Sequence, residues 1–335
     1  MVRFAILILI ASLLVGCGGQ RPDKSFDPTV SNPAYEAGTG PLVCLDEAHN
    51  NFHTLENRFW AFGELLRRDG YVIESSREEF SAAALARCRI LVISNAQLES
   101  GDWGEYPYPT PSGFTEAEID AVQAWVMRGG SLLLIADHMP LAGVASKLAS
   151  AFGVTFHDGF AVAGFQGAAS RDAAFGIPTI FSIETETLLP HPITRGRAET
   201  ESVTSIRSFT GQAFQVPESA QVLMRLPDDF VLLMPERAWE FGPDTQTIPV
   251  GGWSQGAVMP FGSGRAAFFG EAAMFSAQIT GNEPSGMNAP MAEQNSQFVL
   301  NVMHWLSGIL NYRLSHKQLN FSTAFVGRNS KPELK

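Results

Sequence analysis

The strongest constraint on this chain is a repeating unit: a short apolar run, a stretch with helical periodicity, then another apolar run. Arg89 to Ser94 (RILVIS) and Ser131 to Ala136 (SLLLIA) are the clearest runs, with Pro41 to Leu45 and Tyr71 to Ile73 as shorter ones. Between them, Thr54 to Arg68 places Leu55, Phe59, Phe62 and Leu66 on one helical face and stops at Gly70. Ser81 heads a short helix, with Phe80 and Leu85 spaced as a hydrophobic staple. Thr115-Glu116-Ala117-Glu118 is a capping box, stapled by Phe114 and Ile119, and its helix ends at Gly129-Gly130. Strands without a polar face, alternating with helices, require a mostly parallel sheet covered on both sides. Right-handed crossovers leave few topologies, and a flavodoxin-like α/β order is expected.

The remainder of the chain closes that domain. Residues 151–250 are less regular. Ala257 to Phe261 and Arg265 to Phe269 flank Gly262-Ser263-Gly264, a β-hairpin signal. A closing helix starts at Asn295 or Ser296, carries Phe298, Val302, Trp305 and Leu306 on one face, and stops at Gly308. One domain is therefore expected over 41–310, followed by a polar tail over 311–335. Glu99 to Gly113, rich in Pro, Tyr and Gly, is a long connection, read as a lid or a variable surface loop.

The N-terminus carries a different message. Arg3, an apolar run from Phe4 to Val15 and then Gly16 have the layout of a secretory signal, too short to span a bilayer. Leu14-Val15-Gly16-Cys17 resembles the lipobox of bacterial lipoproteins. That resemblance implies removal of residues 1–16, lipid on Cys17 and a membrane partner. With Gly18 rather than Asp next, it implies retention at the periplasmic face of an outer membrane. Residues 17–40, poor in apolar side chains, are read as a tether. Only two other cysteines exist, Cys44 and Cys88, each in or beside an apolar run, and buried free thiols are expected. The net charge of −11 argues against nucleic acid as a partner.

Ligands of open parallel sheets bind beyond the carboxyl ends of the strands. The expected first strand delivers Asp46, Glu47, His49 and His53 there, the third Asn95, the fourth Asp137 and His138, and the hairpin Glu271. Together these imidazoles and carboxylates could bind a divalent cation, with Asp46, His49 and His138 the candidate ligands. They could equally supply a general acid and base, with His49, His138 and Glu271 the catalytic candidates and Asp46, Glu47, His53, Asn95 and Asp137 contacting the ligand. The bland alternative is that the carboxylates accept backbone N–H groups at turns and helix starts. Gly252-Trp253-Ser254-Gln255-Gly256 matches the serine-hydrolase elbow, with Glu271 and His304 downstream. That elbow needs a following helix, and a hairpin is expected instead.

Asp46-Glu47-Ala48-His49, Ile93-Ser94-Asn95, and Gly129-Gly130-Ser131 through Asp137-His138 are similar to the class I glutamine amidotransferase-like superfamily. His191-Pro192-Ile193-Thr194, Gly264-Arg265 with Gly270-Glu271 and Phe275, and Asn301 to Gly308 fit its uncharacterised lipoprotein, GldG-like and ThuA-like branches. The resemblance spans about residues 41–308 and implies a flavodoxin-like sheet. Glutamine hydrolysis is not implied, because no Cys stands at the expected elbow. Two functions are then expected: a lipid-anchored module binding a small polar ligand or envelope protein, or a metal-assisted or acid–base hydrolase of a carbohydrate-like substrate.

Overall fold

The computed structural model describes residues 19–99, 101–164 and 178–310. The proposed signal, Cys17 and the C-terminal tail lie outside them. In chain order the elements run β1 (Gln20–Pro22), β2 (Leu42–Asp46), α1 (Trp60–Arg68), β3 (Val72–Ser76), α2 (Ala82–Leu85), β4 (Ile90–Ser94), α3 (Glu116–Met127), β5 (Ser131–Ile135) and α4 (Leu141–Ser150). The middle supplies β6 (Thr155–Phe156), β7 (Phe160–Ala163), β8 (Thr179–Ser182), α5 (Pro192–Arg195), β9 (Ser205–Ser208), β10 (Phe214–Gln215), β11 (Gln221–Arg225), β12 (Phe230–Met234) and β13 (Gln246–Pro249). The last part adds β14 (Ser254–Phe261), β15 (Gly264–Phe269), β16 (Ala277–Thr280), β17 (Glu283–Gly286) and α6 (Asn295–Ser307).

The main sheet runs β3-β2-β4-β5-β15-β14-β10-β6, with β11 also on β14. β3, β2, β4, β5 and β15 are mutually parallel, and β14 returns antiparallel to β15 as the expected hairpin. Successive side chains of a strand point to opposite faces. Ile90, Val92, Leu133, Ile135, Ala267 and Phe269 accordingly pack with α1 and α6, while Leu91, Ile93, Leu132, Leu134, Ala266 and Phe268 pack with α3 and α4. Two covered faces are why these strands are apolar throughout. The sheet is mixed α/β and mostly parallel over its core half.

Local signals held where they are self-contained. Ser81 accepts the Ala84 N–H, and Gly308 takes the left-handed conformation (φ 94°) that ends α6. At α3 both halves of the capping box form: Thr115 Oγ1 accepts from the Glu118 N–H, and Glu118 accepts from the Thr115 N–H. Thr115→Ala is expected to lower stability by about 1 kcal/mol, read from urea denaturation. An unchanged midpoint would remove the box from the account.

Three expectations are corrected. The first helix begins at Trp60, not Thr54, because residues 54–59 form turns and Glu47 Oε1 takes the Leu55 N–H. Cys44 and Cys88 are not free thiols but a disulfide, with Cα atoms 5.8 Å apart. Cys44 points to the same face as α2, and Cys88 leaves α2 towards β4, so the two side chains meet under Phe80 and Leu85. Finally, residues 19–40 are no loose tether. β1 pairs with β16, Asp69 Oδ1 accepts the Ala34 N–H at 2.7 Å, Gly40 N donates to Gly70 O, and Phe26, Val30 and Tyr35 pack against the core. Composition misled here because a polar strap can be held by backbone hydrogen bonds and a few apolar contacts.

Candidate functional site

All eight predicted site residues stand at the carboxyl ends of the parallel strands, but they separate into distinct groups. His49 is bolted between two carboxylates: Nδ1 lies 3.0 and 2.9 Å from the Asp46 oxygens, and Nε2 lies 2.9 Å from Glu118 Oε1. Phe80 and Phe114 flank its ring. Burial alone would lower the His49 pKa, but Asp46 and then Glu118 outweigh it and raise the value. Burial raises Asp46, against the His49 hydrogen bond and charge. With both ring nitrogens bonded, His49 is an anchor for the β2 loop on α3 rather than an available base. Glu118 was legible in sequence only as a capping residue; that its second oxygen holds His49 depends on α2 and α3 meeting above β2.

Glu47 faces the other way. Its Oε1 accepts Ser75 Oγ and the Leu55 N–H, and its Oε2 pairs with Arg77. His53 is enclosed between Phe52 and Phe59, with Nδ1 3.1 Å from Ser94 Oγ. Burial, helped by the Arg58 charge, holds its pKa well below the ordinary histidine value. These two groups brace loops.

Asn95, Asp137 and Glu271 do come together. Asn95 takes a left-handed backbone (φ 54°), which Asn tolerates better than most residues. Its Nδ2 donates to Asp137 Oδ2 at 2.8 Å, and its Oδ1 accepts the Asp137 N–H at 2.9 Å. Glu271 is buried and accepts the Ala273 and Met274 N–H groups at 2.6 and 2.9 Å. Burial pushes Asp137 up to about 7, against the Asn95 and Ala272 hydrogen bonds. Burial and then the Asp137 charge push Glu271 well above the carboxylate range. Neighbouring like charges in a poorly hydrated place favour protonation of one of the two. Asp137 is partly exposed as a residue, yet its Oδ1 is buried, with the Ala272 N–H nearby but no donor in full hydrogen-bond geometry.

His138 sits beside this pair in a separate aromatic setting. Its Nδ1 lies 2.7 Å from Met139 O, so Nδ1 carries the proton and Nε2 is the acceptor. Phe160 stacks on it at 4.5 Å, with Trp239 at 4.7 Å and Trp103 at 5.8 Å. Burial lowers its pKa to about 4, keeping the imidazole neutral near pH 7. Sequence reasoning missed the amide network behind the strand ends. Gln212 Nε2 donates to Ala136 O, Gln255 Nε2 to Gln212 O, and Ser208 Oγ to Gln255 Oε1. Those residues come from the irregular middle and β14, where no periodic signal marks them.

The metal candidates Asp46, His49 and His138 do not form one set, since His49 is closed between carboxylates and His138 lies among aromatic rings. Among the described residues, no group of three or more His, Cys, Asp or Glu is arranged to hold a metal ion. The hydrolase elbow is absent, as the expected hairpin implies. Ser254 is buried at the start of β14 with no helix after it. His304 is bonded to Asp69 Oδ2 at 2.6 Å, both enclosed in the core, and not to Ser254 or Glu271.

Fold and site define a mixed α/β protein with a large, mostly parallel sheet and buried polar groups at its strand ends. Among solved structures, the chain is similar to the mmIFT52 N-terminal domain, at 15% identity and a TM-score of 0.54, over 79% of this chain and 97% of that one. It also matches a ThuA-like protein from Bacteroides uniformis at 12% identity and a TM-score of 0.41, over 84% and 94% of the two chains. Cytoplasmic protein STM3548 from Salmonella typhimurium matches at 13% identity and 0.44, over 79% and 98%. At such identities the likeness concerns the fold alone. No protein-family model and no curated protein matches the chain.

Proposed function

We propose that this chain is a lipid-anchored envelope protein whose glutaminase-like domain binds a small polar ligand and does not hydrolyse glutamine. In chain order the five parallel strands lie 2-1-3-4-5 across the sheet, which supports a flavodoxin-like arrangement. Thioester chemistry needs a free thiolate at a strand end, and the two described cysteines are spent in a disulfide, one of them inside β2. Such a bond belongs to an oxidising compartment, which supports export.

The observation that carries the ligand reading is Asp137. Its Oδ1 is a buried acceptor with the Ala272 N–H near it but no donor in full hydrogen-bond geometry, next to Glu271 and at the strand ends where such folds bind ligands. A ligand hydroxyl or N–H would complete it, with the rings around His138 as apolar walls. In a thermal-shift panel of sugars, polyols and amino acids, at least one compound should raise the melting temperature in proportion to its occupancy. Asp137→Asn should lose that shift. A panel without a hit, or a hit that Asp137→Asn retains in full, would refute the reading.

Two neighbouring buried carboxyl groups, both pushed towards protonation, favour one second reading, an acid–base hydrolase of a carbohydrate-like substrate. Turnover in the same panel, abolished by Glu271→Gln, would replace the first reading with this one.

A further inference from the structure

The docked N-terminal strap changes how the domain can sit on a membrane. A free tether over residues 17–40 would reach about 80 Å when extended. Pairing of β1 with β16 removes that reach: Gln20 stands opposite Thr280, Arg21 opposite Ile279 and Pro22 opposite Gln278. Only Gly18 and Gly19 then separate Cys17 from a hydrogen-bonded strand that starts at Gln20, a span of about 10 Å. The strand begins at the tip of the β16–β17 hairpin, because Thr280 also pairs with Glu283 across the turn Gly281-Asn282.

Residues directly opposite in an antiparallel pair share a face. Arg21, Ile279 and Pro284 therefore form one cross-strand row, with Arg21 exposed and the other two partly exposed. Lys24, exposed, follows two residues after the strand. A cation beside apolar side chains suits the headgroup boundary of an anionic bilayer. Glu283 pairs with Thr280 on the other face of the small sheet.

We infer that the bilayer headgroup surface is the partner of the β1–β16–β17 sheet, which is held against it at contact distance with the Gly281-Asn282 turn leading. This rests on the reading of Cys17 as the lipidated residue. The domain then has one orientation on the membrane, with the face carrying α3 turned away, because α3 packs on the opposite side of the main sheet from Ala277 of β16.

The test uses the full-length protein purified from bacterial membranes and reconstituted into phosphatidylethanolamine–phosphatidylglycerol vesicles. Spin labels are placed in Asn282→Cys on the exposed turn and in Met127→Cys, exposed at the end of α3, and relaxed by a headgroup-bound paramagnetic ion. Mass spectrometry of the N-terminal peptide reads the state of Cys17 separately. Acylated Cys17 with several-fold stronger relaxation at position 282 than at 127 is expected, and a flexible Gly/Ser insertion after Gly18 should erase the difference. Acylated Cys17 with equal relaxation at both positions overturns the orientation and leaves the anchor standing. Unmodified Cys17 overturns both.

Discussion

Removing the disulfide by Cys44→Ala with Cys88→Ala should lower the unfolding free energy by about 4 kcal/mol, taking the chain-entropy relation for a closed loop of this length. The bond joins positions 44 residues apart in sequence and ties the second-face core at β2 to the chain entering β4. Alanine avoids burying a hydroxyl that serine would bring. Denaturant midpoints with and without reductant check the same quantity in the unmodified protein, and thiol titration reports the redox state. Equal midpoints in both conditions would show that the cross-link contributes nothing, and would also remove the structural support for an oxidising compartment.

The second large effect is a dependence of stability on pH carried by Asp137 and Glu271. Asp137 is raised to about 7 and Glu271 is raised as well, so the native protein keeps protons that the unfolded chain releases near pH 4. The stability tied to them is fully present below that pH and is lost as pH rises towards 7 and beyond. At about 1.4 kcal/mol per pH unit for one such group, the loss across the window is on the order of 4 kcal/mol. His53 and His138 act with the opposite sign: their pKa values are lowered, so their contribution is present above about 6.5 and lost as pH falls. His49, raised by its two carboxylates, loses its contribution as pH rises through its folded value. Comparing the wild type with Asp137→Asn cancels the three histidines. The variant should gain stability relative to the wild type between pH 5 and 8, seen as a flatter melting-temperature profile. Parallel profiles would mean that the acid pair does not hold the extra proton.

The contrast between the two acidic groups shows how far one-dimensional reading reaches. Asp46 and Asp137 both end apolar strands and look equivalent in sequence. In the fold, Asp46 is neutralised by His49 and becomes part of a brace, whereas Asp137 meets another carboxylate and one amide, and stays chemically poised. His49 is a local partner of Asp46, three residues on, with no counterpart at that offset from Asp137. The rest of the difference is made by Glu118, 69 positions beyond its partner His49, and by Glu271, 134 positions beyond Asp137, which arrive through α3 and β15. The same holds for His304, whose partner Asp69 sits at the far end of α1.

What the chain determined alone were the features written in short range. Apolar runs set strands buried on two faces, the Thr115 box and Gly308 set helix ends, and the Gly262 turn set the hairpin, because each needs only neighbours within a few residues. Tertiary structure decided the rest: which carboxylates became pairs, that two cysteines met, and that a polar N-terminal strap lay down on β16. Those outcomes depend on contacts between segments far apart in sequence, where the free energy of a side chain is set by partners that no local pattern encodes.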